Sequence, residues 1–286
     1  MTIATTMRQP HVRVLSLISS GHFMSHFYGM TLPPVYVFIH QDLNISYTLL
    51  GLLLSMRNIT SGILQLPAGI AVDRHGAKLI LFAGLTLTTA GIGLISFATN
   101  FWMLGGLIIL YGIGNSVFHP ADYAILNSSV DETRMGRSFS IHTFCGHIGT
   151  AIAPTLILTA TAIWNWRVAV MMSGILGLIV MALFLLQWHA MKDDVPPAPK
   201  GTKKVDAATA AADATMTTGQ LLLHILKSPP ILYLFLFFCI ASLAGGGFRN
   251  FAIAGLLELH GTPVEAAGGA LSGFLFASAF KGGRIV

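Results

Sequence analysis

Charge is what this sequence has least of: only 9% of its 286 residues are Asp, Glu, Lys or Arg, against 54% hydrophobic residues. That is too little polar surface to cover a water-soluble globule of this size, so lipid is the expected main solvent. Cysteine is scarce as well. Cys145 and Cys239 are the only two, both lie in apolar stretches, and their spacing suits neither a disulfide framework nor a zinc site. The apolar runs lack the period-two alternation over about ten residues that a membrane barrel requires. Also missing are paired carboxylates, a nucleophile with a base at credible spacing and a glycine-rich phosphate loop, so the reading is of a protein that is no enzyme and carries no cofactor.

What the sequence has in abundance is long apolar runs. A hydrocarbon core about 30 Å thick takes roughly 20 apolar residues as a helix. Runs of that order cover residues 14–39, 47–72, 79–98, 101–127, 138–163, 168–188, 231–257 and 264–280, which predicts about eight transmembrane helices. The first run is too long for a signal-peptide core and contains His22 and His26, so it reads as a permanent helix.

The net charge of +5 would suit nucleic acid, but its distribution points to membrane orientation instead. Arg8, Arg13, Arg74, Lys78, Arg134, Arg137, Lys192, Lys200, Lys203, Lys204, Lys227, Lys281 and Arg284 fall in alternate connections, thirteen of the sixteen basic residues. Arg167 alone falls on the other side. By the positive-inside rule the N-terminus is cytoplasmic and the protein a multi-pass protein of the cell (inner) membrane, with lipid as its partner and no role for nucleic acid. Residues 191–228 are rich in Pro, Ala, Thr and Lys and read as a solvated linker ending in a short surface helix at 218–226. Six helices, a long basic connection and two more helices suggest a protein of two repeated halves, as in many secondary transporters. The expected domains are therefore residues 1–190, 191–228 and 229–286.

The turn after the second run reads Gly69-Ile-Ala-Val-Asp73-Arg74-His75-Gly76-Ala-Lys78. Gly69 would allow close helix approach, Gly76 a tight turn, and Asp73 would accept hydrogen bonds at a neighbouring helix N-terminus. This loop resembles the signature between helices 2 and 3 of the major facilitator superfamily. Gly146, Gly149 and Pro154 in the fifth run look like that superfamily's antiporter-type packing motif, with Ala153 where the motif usually has glycine. Three further segments resemble the fosmidomycin resistance branch: Gly21-His22-Phe23 with His26-Phe27-Tyr28-Gly29 and Leu32-Pro33, Ser46-Tyr47-Thr48-Leu49-Leu50-Gly51, and Gly112-Ile-Gly114-Asn115-Ser-Val-Phe118-His119-Pro120. The resemblance implies an all-α membrane protein with a major-facilitator-type helix bundle, a complete N-terminal six-helix half plus two helices of the C-terminal half. It also implies export of an anionic phosphonate or drug-like molecule, coupled to protons, by alternating access. Uptake of an organic anion or sugar on the same fold is the alternative. Gly282-Gly283-Arg284-Ile285-Val286 resembles the start of a second copy of the Gly69 loop, so a truncated chain is expected; a short protein completed by a partner, or a fragment that does not transport, stays open.

Ionisable residues at bilayer depth are costly, about 2.5–3.5 kcal/mol on insertion scales, and are candidates for function. Arg57, in the middle of the second run, suits an anion through its planar fork of donors; a structural arginine is the alternative. Arg249, after Gly245-Gly246-Gly247, is a second candidate, with snorkelling as its alternative. His22 and His26, which share a helix face, and the nearby Tyr28 are expected to contact substrate; a proton relay, or plain hydrogen bonding between helices, is the alternative for the two histidines. That pair has no third ligand in view, so no metal is assigned. Asp122 is the candidate proton carrier with His119 and His142, the alternative being a cap or an ion pair with Arg137.

Overall fold

A computed structural model describes residues 10–191 and 217–282. Arg8, most of the expected linker and residues 283–286 lie outside the described residues. The chain divides into two compact units, residues 1–195 with 252–286, and residues 196–251.

In the first unit α1 (Pro10–Gly29) is followed by a 3-10 turn (Pro33–Val35) and the short α2 (Tyr36–Leu43). The first apolar run is thus not one uninterrupted helix. Pro33 and Pro34 contribute no backbone N–H, and Pro34 cannot continue an i→i−4 ladder. Asn44 closes α2 in the left-handed region at φ 51°. The helix α3 (Tyr47–His75) starts at Ser46, whose hydroxyl accepts from the Leu49 N–H at 3.3 Å. It joins α4 (Ala77–Ile95) through Gly76 alone, at φ 89°, a conformation that favours glycine.

Asn100 and Asn165 cap α5 (Phe101–Asn115) and α8 (Trp166–Leu186), each accepting a backbone N–H at 3.0 Å. The fourth run breaks at Ser116 and Val117, before α6 (Phe118–Ser129), because Pro120 fits only the first turn of a new helix. The long α7 (Glu132–Ile163) keeps Pro154 inside it. In this unit α1 packs most extensively on α7, α4 lies against α5 and α8, and α11 (Val264–Gly282) packs on α7. The Thr155 N–H and hydroxyl meet Ser272 Oγ there at 3.2 and 2.9 Å.

Among the described residues six helices are long and apolar enough to cross a membrane, those at 47–75, 77–95, 101–129, 132–163, 166–186 and 229–260. Two of the eight expected spans fall outside that set: α1, diluted by His22, His26 and the serines at 16, 19, 20 and 25, and α11, whose apolar stretch among the described residues is Val264–Ala279. Leu81, Leu85 and Ile92 of α4 are fully buried, whereas Ile59, Ile63 and Leu66 of α3 and Leu178, Ile179 and Leu185 of α8 are exposed. So many bare aliphatic side chains suit a lipid surround rather than water.

The second unit contributes α9 (Thr218–Leu226) and α10 (Pro229–His260) as far as Phe251. A capping box starts α9, with Thr217 and Gln220 each satisfying the other's backbone N–H.

Candidate functional site

Two polar centres interrupt the apolar interior of the first unit. At the first, Gly112 lets α5 lie directly on α3: a Cβ there would meet the Arg57 carbonyl oxygen at 3.0 Å and Thr60 Cβ at 3.3 Å. This approach sets Tyr111 of α5 beside Arg57. Arg57 Nη1 donates to the Tyr111 hydroxyl at 3.0 Å, and Nε and Nη2 donate to Asn58 Oδ1 at 3.0 and 2.7 Å. The guanidinium carbon is 5.1 Å from the Tyr111 ring centroid. Of five N–H donors three are engaged, which leaves two. None of the ion pairs among the described residues involves Arg57. A half-buried cation without a carboxylate, with two donors unspent, can take an anion in bidentate fashion.

Tyr28, expected among the substrate contacts, is buried. Its hydroxyl bonds Thr89 Oγ1 at 3.1 Å and the Ser173 carbonyl at 3.3 Å, tying α1 to α4 and α8. Tyr111, which stands at Arg57, was not singled out from the sequence; the signal available was a lone tyrosine in an apolar run, next to Gly112. Arg249 belongs to the second unit and is exposed on α10.

The second centre gathers residues from three helices: His22 and His26 of α1, His119 and Asp122 of α6, and His142 and His147 of α7. Small residues make this approach possible. A Cβ at Gly146 would meet His22 Cδ2 at 2.7 Å, and one at Gly149 would collide with the carbonyl oxygen of Phe23. The Asp122 carboxylate is fully buried, with His22 Nδ1 at 3.2 Å and His142 Nε2 at 3.4 Å from its Oδ2. Its partners are thus histidines of α1 and α7, not Arg137, which is exposed. The His22 ring centroid is 4.0 Å from that of His142, 4.6 Å from His26 and 5.5 Å from His119. His26 bonds Thr150 Oγ1 at 3.1 Å, with the exposed His147 ring 6.2 Å away. The structure therefore joins His22 and His26, expected with the substrate, to the histidines expected with Asp122.

At the end of α3, Asp73 and Arg74 are exposed. A Cβ at Gly69 would meet nothing closer than Pro120 Cβ at 4.0 Å, an ordinary contact, so the close approach expected there is not needed. Pro154 is buried within α7.

A bundle of membrane-length helices with charge held inside it defines a multi-span membrane protein. The sequence profile of the Major Facilitator Superfamily matches residues 18–286, and the chain belongs to that superfamily. It is 28% identical over 142 residues to a probable L-galactonate transporter of Escherichia coli (strain K12), covering 50% of this chain and 31% of that protein. It is 22% identical over 231 residues to the uncharacterized MFS-type transporter YfnC of Bacillus subtilis (strain 168), covering 78% and 56%. The chain thus spans about half or less of the length of these relatives. Among solved structures, a bacterial homolog to the human lysosomal transporter Spinster, inward-facing and unoccupied, superposes with a TM-score of 0.76 at 15% identity, over 96% of this chain and 61% of that one. That likeness is one of fold.

Proposed function

We propose that the protein is a secondary active transporter that exports a small anionic or drug-like molecule, of the fosmidomycin-type phosphonate class, by alternating access. The observation that carries this reading is Arg57, a half-buried guanidinium braced by Tyr111 and Asn58, with no acidic partner among the described residues and two donors left for a ligand. A phosphonate or carboxylate matches such a fork in charge and in geometry. His26, a half-buried member of the second centre, is a further substrate contact. Arg249 lies in the other unit and is carried as a separate candidate. The loop Gly69–Gly76, with Asp73 and Arg74, is taken as the conformational element, and the orientation as N-terminus cytoplasmic in the inner membrane.

The driving force we assign is the proton gradient, as the resemblance implies. Asp122, His119 and His142, expected as its carrier, stand together in the histidine cluster with His22. Uptake of a sugar acid or other organic anion is the second reading, favoured by the similarity to a probable L-galactonate transporter.

Proteoliposome flux separates the two. The native-length protein should move fosmidomycin into acid-loaded, inverted vesicles in preference to galactonate and to neutral sugars, and Arg57→Ala should abolish that flux while the protein still inserts. Equal flux in Arg57→Ala removes the anion site. Preference for galactonate with the opposite direction selects the second reading.

A further inference from the structure

We infer that His22, Asp122 and His142 form a binding site for one divalent transition-metal ion. The three ligand atoms, one from each residue, lie within 4.8 Å of one another, and all three residues are buried. The separations carry the argument. Four ligands at about 2.0–2.2 Å around a tetrahedral ion stand about 3.3 Å apart, and the two nitrogens here are 3.2 and 3.4 Å from Asp122 Oδ2. A charge-assisted N–H···O bond would draw a nitrogen in to about 2.7–2.9 Å. His22 Nδ1 at 3.2 Å is a long hydrogen bond to Asp122 Oδ2, whereas the 3.4 Å approach of His142 is none: neither ring nitrogen of His142 has a hydrogen-bond partner, and Asp122 Oδ1 has none either. A buried carboxylate with an orphaned oxygen and a buried imidazole whose Nε2 faces it without a bond leave polar groups that a cation between them would engage, His142 through Nε2 and Asp122 through its carboxylate.

The donor set names the class. Two imidazoles and one carboxylate suit zinc, cobalt, nickel or copper rather than magnesium or calcium, which prefer all-oxygen shells. His22 presents Nδ1 and His142 presents Nε2, so the ion would bridge α1 and α7 through Asp122 of α6. A path to it exists in the same imidazoles: His119 and His147 are exposed, His26 is half-buried, and each stands within 6.5 Å of the next ring inward. In the sequence His22 and His26, four apart, have no third ligand near them. The fold supplies two others, one hundred and one hundred and twenty residues further along the chain.

Binding is tested on the untagged, native-length protein in detergent after treatment with a chelator, with Co²⁺ and Zn²⁺ as the probes and no transport substrate present. We expect one equivalent of Co²⁺ with the intense visible absorption of a four-coordinate ion, displaced by Zn²⁺. Asp122→Asn and His142→Gln should each weaken binding by about tenfold or more, while His75→Gln, at the far end of α3, should leave it unchanged. X-ray absorption of the Zn²⁺-loaded wild type should show imidazole scattering with a nitrogen and oxygen shell near ~2.0 Å, a readout that needs no variant to fold. Absence of stoichiometric binding, a zinc shell without imidazole, or full affinity in both well-folded variants overturns the site. Because no anion is involved, failure here leaves the Arg57 reading intact, and failure of anion flux leaves the metal site intact.

Discussion

Arg167 and Arg57 are both held in the first unit by aromatic neighbours, and the difference between them separates scaffold from site. Arg167, at the start of α8, spends its donors on protein: Nη2 and Nε reach Asp42 Oδ2 at 2.9 and 3.2 Å, and Nη1 reaches the carbonyls of Ser96 and Ala98 at 2.9 and 2.7 Å. Trp166 donates to the same carboxylate at 3.0 Å and offers its ring to the guanidinium. The arrangement ties the ends of α2, α4 and α8 together with the charge neutralised. Arg57 has only neutral partners and keeps two donors. One arginine is satisfied within the protein; the other keeps two donors, which on the proposed function an anion would take.

Four substitutions test that contrast. Arg57→Ala should cost transport about a hundredfold in kcat/KM, the loss of about 2–3 kcal/mol of charge-assisted bonding, with little change in thermal stability; solubilised protein and vesicle flux read the two separately. Arg167→Ala should do the reverse, lowering stability by about 1–2 kcal/mol, since the pair is partly exposed and screened, while KM for the anion holds. A smaller effect is expected of Arg57→Lys, which keeps the charge but loses the planar fork: roughly tenfold in KM, seen as a weaker preference for phosphonate over a monovalent carboxylate. Tyr111→Phe should raise KM about fivefold by removing the brace on Nη1, at about 1 kcal/mol for one hydrogen bond. A stability loss in Arg57→Ala as large as that in Arg167→Ala would erase the distinction.

Much of this fold is legible in sequence because membrane helices announce themselves by composition. The runs from residue 47 onward predict α3 through α8, and the expected surface helix at 218–226 matches α9. The breaks were harder to see. Pro33-Pro34 and Pro120 carry local signals, yet hydropathy averages across them. Side-chain partners were harder still, since they depend on which helices touch. Asp122 is legible as a deep acid near His119 and His142 of the adjoining runs, but His22 is not, and only the packing of α1 on α7 over Gly146 and Gly149 brings it in. Tyr28 is the opposite case: its place in a motif suggested substrate, and the crossing of α1 with α4 and α8 consumes its hydroxyl.

The most direct measurement is equilibrium binding of fosmidomycin and of an uncharged phosphonate diester to the detergent-solubilised wild type and to Arg57→Ala. The account predicts that the wild type prefers the anion by about a hundredfold and that the variant, equally well folded, binds both ligands alike. Retention of the full preference for the anion in Arg57→Ala would contradict it.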